Sequence, residues 1–262
     1  MTFECPICGG LGVRPVITPA GTRAVEICEC KYDQRVPRLL RRAAIPARYE
    51  QCSFDNFDTK FPSANQSLIA ALNSARHFVD DYPVTTGGKG LVLTGSSGLG
   101  KTHLAVSILK GLIADRGAQG LFCDYRELLK EIQHSYSPHV AASELDVLRP
   151  VFNVEVLVVD ELGATQPTGW VWDTVALILN NRYNRKLTTV FTTNFEDLPG
   201  AGPEPLGSSD GEIEETKKRK NREPTLGDRI GERMRSRLAE MCVTVPMYGK
   251  DFRQTVRRAS FG

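Results

Sequence analysis

The sequence predicts an α/β fold, in which a parallel sheet is flanked by helices and preceded by a small cysteine-bearing module. Residues 87–197 alternate short apolar runs with helical patterns, as expected for strands joined by helical crossovers. A glycine-rich loop follows the first of these runs. Four of the seven cysteines fall within the first thirty residues, a distribution that favours a metal site over a disulfide scaffold.

The predicted helices and strands alternate along the chain. Residues 104–113 carry apolar side chains at helical spacing, which predicts one buried helix face. Residues 154–159 form an uninterrupted apolar run, as expected for a buried parallel strand. The predicted strands are residues 90–95, 121–125, 154–159 and 188–193, with a fifth in 227–262, and the predicted helices are 67–81, 101–116, 126–134 and 170–185.

Composition limits the class of protein and its organisation. The chain has 262 residues, 41% of them apolar and 24% charged, which is enough to bury a core. No apolar stretch reaches about 18 residues, and the start lacks the pattern of a secretory signal, so we expect no membrane span and a cytoplasmic location.

We predict a zinc-binding module over 1–31, a helical and aromatic linker for partner binding over 32–86, and a catalytic domain over 87–262. Residues 198–226 are rich in Gly, Pro, Ser and charge, which predicts a disordered insert.

The charge is unevenly distributed. The net charge is +2, but residues 217–262 contain thirteen Lys and Arg against five Asp and Glu. A basic end of this kind can face nucleic acid or another anionic ligand. It can equally be a solvated tail, and the sequence leaves both interpretations open.

A phosphate-binding loop is the strongest motif. The segment GSSGLGKT fits G-x-x-x-x-G-K-[ST] and lies between a predicted strand and a predicted helix. Its glycines allow backbone N–H groups to surround phosphate oxygens, and the helix N-terminus adds its positive dipole end. Lys101 supplies a charge to the outer phosphates and Thr102 a hydroxyl for Mg²⁺. The predicted nucleotide-binding residues are Gly95, Ser96, Ser97, Gly98, Leu99, Gly100, Lys101, Thr102 and His103.

Acidic and amide side chains follow two further strands. Asp160 and Glu161 end the apolar run VLVVDE, and Asn194 ends the strand that carries Thr192 and Thr193. Ligands of open α/β sheets bind at the carboxyl ends of the strands. We therefore expect Asp160 to bind nucleotide-associated Mg²⁺, Glu161 to orient or deprotonate an attacking water, and Asn194 to hold the same water.

The order of these motifs resembles that of AAA+ ATPases, and more narrowly the bacterial helicase-loader branch, the DnaC/IstB-like family. The resemblance covers about residues 45–262, although the 198–226 insert departs from the family pattern. It implies a P-loop NTPase fold with a five-stranded parallel sheet, and ATP as the nucleotide. The supporting segments are IPARYEQCSFDNF at 45–57, YRELL at 125–129, VVDELG at 158–163, NRY at 181–183, TTNF at 192–195, GERMRSRL at 231–238 and GKDFR at 249–253.

The resemblance also implies residue roles beyond the loop. In such proteins an arginine from a neighbouring subunit completes the nucleotide site and stabilises charge on the transferring phosphate. The matching residue here is Arg237, with Arg233 as the alternative one turn earlier, and an exposed face of solvated arginines remains open. The active form is therefore expected to be an oligomer. The aromatic segment with Arg48, Tyr49 and Phe54 is expected to line the base pocket.

The four N-terminal cysteines predict a zinc site. Cys5 and Cys8 form a Cys-x-x-Cys pair, and Cys28 and Cys30 follow after a predicted hairpin over residues 13–18 and 23–27. Four thiolates suit tetrahedral Zn²⁺ with a closed coordination shell, and the metal would supply folding free energy that about thirty residues cannot obtain by burial. A redox pair or unligated cysteines are the alternatives.

Three functions fit these observations. The first is an ATP-dependent loader that acts on single-stranded DNA and a replicative helicase. The second is an IstB-type transposition helper with a transposase as its partner. The third is a nucleotide-switched adaptor with little hydrolysis, although the presence of Glu161 and Asn194 predicts turnover.

Overall fold

The computed structural model describes residues 5–8, 13–17, 21–28, 34–61, 64–200 and 222–256. Two antiparallel strands, β1 (Val13–Ile17) and β2 (Arg23–Ile27), form the predicted N-terminal hairpin. The remaining five strands form the predicted parallel sheet: β3 (Gly90–Thr94), β4 (Gly120–Asp124), β5 (Val156–Asp160), β6 (Thr188–Thr193) and β7 (Cys242–Pro246). Their order across the sheet is β4-β5-β6-β3-β7.

Nine α-helices lie in the described part of the chain. Those on the N-terminal side are α1 (Arg35–Arg42), α2 (Gln66–Asp81) and α3 (Lys101–Arg116), with a 3-10 turn at Ala47–Tyr49. The others are α4 (Tyr125–Ser135), α5 (Glu144–Asn153), α6 (Gly169–Asn184), α7 (Leu226–Ile230), α8 (Glu232–Met241) and α9 (Phe252–Thr255). No helix among the described residues is long and apolar enough to cross a membrane.

The helices cover both faces of the sheet. Successive strand side chains point to opposite faces, so Leu91 and Leu93 pack with α1, α2 and α3, whereas Val92 packs on the other side with the helices from α4 to α8. The uninterrupted apolar run in β5 is buried at all five positions. Because helices cover both faces of the sheet, the strands consist of continuous apolar runs.

Several predicted boundaries shift by one or two residues, and in two cases a residue predicted in a strand belongs to a helix or its cap. Tyr125, predicted as the end of a strand, begins α4, because the Asp124 carboxylate accepts hydrogen bonds from the N–H groups of Arg126 and Glu127 and caps the helix. Val154, predicted as the start of a strand, instead caps the C-terminus of α5.

The ends of the predicted insert lie close together. Thr225 Oγ1 donates to the carbonyl oxygen of Pro199 at 3.0 Å, and the N–H of Gly227 donates to Leu198 O at 3.1 Å. Residues 201–221, the middle of the insert, lie outside the described residues. These two hydrogen bonds therefore join the chain before the insert to the chain after it, at the start of α7.

Candidate nucleotide site

A cavity of about 770 Å³ lies at the carboxyl ends of the parallel strands. Its volume falls within the range of small-molecule sites. Most of the residues predicted for catalysis and phosphate binding line this cavity, although they come from three separate parts of the chain. They are Ser97, Gly98, Leu99, Gly100, Lys101, Thr102, His103, Glu161 and Asn194, joined by Thr192.

The phosphate loop has the backbone conformation that its glycines predict. Gly98 has φ +79° and Gly100 has φ +85°, in the left-handed region that side chains disfavour. A Cβ atom on Gly100 would fall 2.6 Å from the Phe57 ring. Gly100 also caps the N-terminus of α3, so the helix begins at the loop and its first N–H groups face the cavity.

The ammonium group of Lys101 is hydrogen-bonded to the backbone of the phosphate-binding loop. Its Nζ donates hydrogen bonds to the carbonyl oxygens of Gly95 at 2.8 Å and Ser96 at 2.7 Å. Burial lowers the pKa of Lys101 to about 8, and the nearby carboxylates of Asp160 and Glu161 oppose that shift. A bound phosphate would favour the charged ammonium in the same way.

The two residues predicted to bind Mg²⁺, Thr102 and Asp160, are hydrogen-bonded to each other, and Thr192 is bonded to the same carboxylate. Thr102 Oγ1 donates to Asp160 at 2.9 Å, and Thr192 Oγ1 donates to Asp160 Oδ1 at 2.6 Å. Burial raises the pKa of Asp160, and these two hydrogen bonds oppose the shift because they stabilise the carboxylate. A threonine hydroxyl beside a carboxylate is an oxygen donor set that fits Mg²⁺.

Glu161 occupies a strained position at the end of β5. Its φ of +60° is unusual for a residue with a side chain, and such outliers gather at active sites. The backbone N–H of Glu161 donates to Thr192 Oγ1 at 2.9 Å, which ties the strained residue to β6. Its carboxylate is partly exposed in the cavity, 3.8 Å from Arg126 Nε, and Asn194 lies on the same cavity wall.

The aromatic segment lies beside the site, with one side chain different from those predicted. Arg48 and Tyr49 line the cavity as predicted, but Phe54 is absent from the lining and packs beneath Arg76. Phe57 lies in the cavity instead, and its ring meets the His103 ring edge-on at 5.4 Å. Both phenylalanines lie in the same short segment, and the sequence alone could not show which of them faces the cavity.

Tyr49 and His103 make contacts that the sequence did not indicate. Burial and the nearby Asp160 raise the pKa of Tyr49, while a hydrogen bond with Thr102 lowers it, so the phenol lies close to the predicted magnesium site. His103 Nε2 lies 2.8 Å from the carbonyl oxygen of Ser53. The histidine therefore anchors the aromatic segment to α3.

The two candidate arginines on α8 differ in their surroundings. Arg237 is half-buried, with its guanidinium 5.7 Å from the centroid of the Tyr183 ring. Arg233 is exposed. Neither residue lines the cavity.

Three of the four predicted zinc ligands lie together. The sulfur atoms of Cys5, Cys8 and Cys28 are all within 4.8 Å of one another, and all three side chains are buried. Cys5 Sγ and Cys28 Sγ are 3.8 Å apart, close to the separation of about 3.8 Å that tetrahedral Zn–S bonds of about 2.3 Å give. Cys30, the predicted fourth ligand, lies outside the described residues.

The fold and the phosphate loop define a nucleotide-binding protein of the P-loop class. The comparison with known families is specific: the model of the IstB-like ATP binding proteins matches residues 26–197, more than half of the chain. The chain belongs to this family, which confirms the resemblance drawn from its motifs.

Curated relatives include proteins named as helicase loaders. The chain is 28% identical over 178 residues to the replicative helicase loader DnaI of Bacillus subtilis, an alignment that covers 65% of this chain and 55% of DnaI. It is 25% identical over 160 residues to the replicative helicase loader DnaC of Escherichia coli K12, covering 61% and 62% of the two chains. The aligned region thus spans less than two thirds of either relative.

Solved structures agree with the sheet topology. The crystal structure of the DnaC helicase loader superimposes with a TM-score of 0.59 and 30% identity, covering 78% of this chain and all of that chain. The crystal structure of DnaI gives a TM-score of 0.56 at 24% identity, covering 79% and 94%. The predicted α/β fold with a five-stranded parallel sheet is confirmed.

Proposed function

We propose that the protein is an ATP-hydrolysing helicase loader that acts on single-stranded DNA and a replicative helicase in the cytoplasm. The observation that carries the ATPase part is the convergence of Lys101, the Thr102–Asp160 pair, Glu161 and Asn194 on one cavity. The loader part is supported by the similarity to two proteins named as replicative helicase loaders.

Each residue has a distinct role in the proposed hydrolysis. The N–H groups of the loop and Lys101 bind the phosphates, and Thr102 and Asp160 would hold Mg²⁺, which would supply positive charge against the phosphates. Glu161, with Asn194 beside it, orients or deprotonates the attacking water. An arginine on α8 of a neighbouring subunit, Arg237 in our proposal and Arg233 as the alternative, stabilises the transferring phosphate.

The test is ATP turnover with and without single-stranded DNA, in the wild type and in Glu161→Gln. We expect DNA-stimulated turnover in the wild type and a loss of about 100-fold or more in the variant, as for removal of a general base, with ATP binding retained. Glu127→Gln is the matched control, because Glu127 is an exposed carboxylate in the first turn of α4 and does not line the cavity. Tight ATP binding without turnover in the wild type would favour the switch interpretation instead.

A second candidate function is an IstB-type transposition helper, which the matching family model favours. The discriminating measurement is nucleotide-dependent binding to purified partners, the replicative helicase of the source cell and any transposase encoded beside this gene. Binding to the helicase alone supports the loader, whereas binding to the transposase alone overturns it.

A further inference from the structure

The turn that follows Glu161 packs directly against helix α7. Gly163 has φ +83°, in the left-handed region, and a Cβ atom built on it would fall 2.9 Å from the Cβ of Arg229 and 3.3 Å from Cδ2 of Phe195. Arg229 belongs to α7, and Phe195 directly follows Asn194. The chain after the predicted catalytic glutamate therefore meets the chain after the predicted catalytic asparagine at Arg229.

The side chain of Arg229 contacts both of these segments. Its guanidinium carbon lies 4.5 Å from the centroid of the Phe195 ring, within the distance of a cation–π interaction. Its NH1 group donates to Gln166 Oε1 at 3.3 Å, and Gln166 lies in the loop between β5 and α6. One guanidinium therefore connects the two loops that leave the ends of β5 and β6.

Other hydrogen bonds hold the strand ends themselves. The N–H of Leu162 donates to Thr192 O at 2.8 Å, and Thr193 Oγ1 donates to Leu162 O at 2.9 Å. These bonds involve residues 162, 192 and 193, whereas the Arg229 side chain contacts residues 166 and 195, further along each segment. Arg229 thus extends the connection between the two strands into the loops beyond the predicted catalytic residues.

The backbone of Arg229 is fixed independently of its guanidinium. Its carbonyl oxygen accepts a hydrogen bond from Trp172 Nε1 at 3.2 Å, and Leu226 and Ile230 of the same helix are buried in the core. Arg229 does not line the nucleotide cavity. A substitution of Arg229 is therefore expected to leave α7 in place and to test the side chain alone.

We infer that Arg229 is a positioning residue for ATP hydrolysis, which holds Glu161 and Asn194 in their relative geometry through the Gly163 turn and the Phe195 ring. This inference rests on the proposed hydrolysis and adds a residue that acts on the same site without touching the nucleotide. The activation of a water molecule is sensitive to displacements of about 1 Å. A shift of either loop is therefore expected to slow the reaction.

An arginine that only stabilised α7 would behave differently. Its loss would lower thermal stability and ATP affinity together with turnover, because the whole region would loosen. The loss of a positioning residue slows hydrolysis and leaves ATP affinity unchanged, because the phosphate loop and Lys101 are intact. Its effect also disappears when Glu161 is already replaced, because residues that act as a unit do not contribute additively.

The experiment measures single-turnover ATP hydrolysis by the full chain with single-stranded DNA present, the affinity for a fluorescent ATP analogue, and thermal melting. We expect Arg229→Gln to slow hydrolysis by roughly 10-fold or more, with affinity and melting temperature close to those of the wild type. Arg229→Lys keeps a cation over the ring and should recover most of the rate. Arg76→Gln is the matched control and should leave the rate unchanged, because Arg76 also lies over a phenylalanine ring, 5.5 Å from the centroid of Phe54, and neither residue lines the cavity.

Two double variants test whether Arg229 acts through the residues that it contacts. Arg229→Gln combined with Glu161→Gln should be no slower than Glu161→Gln alone. Arg229→Gln combined with Phe195→Leu should be no slower than the slower of the two single variants. Losses that multiply in both double variants would overturn the inference, as would a loss of rate in Arg229→Gln that is matched by losses of affinity and melting temperature.

The outcomes separate this inference from the function on which it rests. If the wild type hydrolyses no ATP, the proposed function fails and the inference fails with it. If the wild type hydrolyses ATP and Glu161→Gln is slow, but Arg229→Gln keeps the wild-type rate, the inference alone is overturned. If Arg229→Gln does not fold, Phe195→Leu provides the same comparison: a slower rate at unchanged affinity supports the inference, and an unchanged rate overturns it.

Discussion

Thr192 is the residue that joins the two acidic groups of the site. Its hydroxyl donates to Asp160 Oδ1 at 2.6 Å and accepts the N–H of Glu161 at 2.9 Å. One buried hydroxyl therefore fixes both the carboxylate of the predicted magnesium site and the strained backbone of the predicted catalytic glutamate. The sequence placed Thr192 only in a strand that ends in Asn194.

We expect Thr192→Val to reduce ATP turnover by about 10- to 100-fold, the usual cost of losing a residue that orients a metal ligand, and to raise the Mg²⁺ concentration required for it. The change keeps the shape of the side chain and removes both hydrogen bonds. The measurement is turnover as a function of Mg²⁺ concentration. Thr174→Val is the control, because Thr174 is also buried but donates to Trp170 O within α6. An unchanged Mg²⁺ dependence would contradict the role given to Thr192.

Helix α6 is fixed to the sheet by a fully buried arginine. Arg182 has no exposed surface, and burial lowers its pKa to about 10. Its guanidinium donates to Thr189 Oγ1 and to a cage of backbone oxygens that connects α5, α6 and the start of β6. These oxygens belong to Val151, Val154, Glu155 and Thr188. A buried charge needs such compensation, so we interpret the NRY motif as a structural element.

Replacing Arg182 by Met should lower the free energy of unfolding by about 3–5 kcal/mol, because several buried oxygens lose their donor at once. Urea denaturation monitored by circular dichroism measures this loss. Arg185→Met is the matched control: Arg185 donates to Phe152 O and Asn153 Oδ1 from an exposed position, and its loss should cost about 1 kcal/mol or less. Equal costs at the two positions would show that the cage does not stabilise the fold.

At the scale of the whole molecule, the cysteine cluster and the nucleotide cavity are built from different parts of the chain. Cys5, Cys8 and Cys28 form a small core of their own, next to a hairpin whose strand β1 places Val13 and Ile17 on an exposed face. We propose that Zn²⁺ holds this module, with Cys30 as the fourth ligand.

Purified protein should contain one equivalent of zinc by elemental analysis, and Cys28→Ser should lose it. The thermal transition of the rest of the chain should remain, because the parallel sheet has its own core. Cys123→Ser should retain the zinc, since Cys123 lies in β4, far along the chain from the cluster. Zinc retained in Cys28→Ser would contradict the proposed site.

The arginine that we propose to act in trans requires an assembly. Mixing Lys101→Ala with Arg237→Gln should restore turnover that neither variant has alone, because some sites then combine an intact phosphate loop with an intact arginine from the neighbouring subunit. The same mixture with Arg233→Gln tests the exposed alternative. Recovery only with Arg233→Gln would transfer the role to Arg233, and no recovery with either would contradict an arginine acting in trans.

The sequence by itself determined the parts of this protein that depend on neighbouring residues. The phosphate loop, the Asp160–Glu161 pair and the strand ending at Asn194 could be predicted because each motif is contiguous and follows a buried apolar run. The alternation of strands and helices likewise follows from local periodicity. These features were sufficient to predict the sheet and nine of the residues that line the cavity.

Only the tertiary structure decided which distant segments meet. The order β4-β5-β6-β3-β7 brings Thr192 next to Asp160, and the pairing of β7 with β3 returns the chain so that Arg253 reaches Ser97, 156 residues earlier. No local pattern encodes such contacts, because they arise when separate apolar surfaces are buried together. The same packing selected Phe57 over Phe54 for the cavity and enclosed Arg182 in its cage of backbone oxygens.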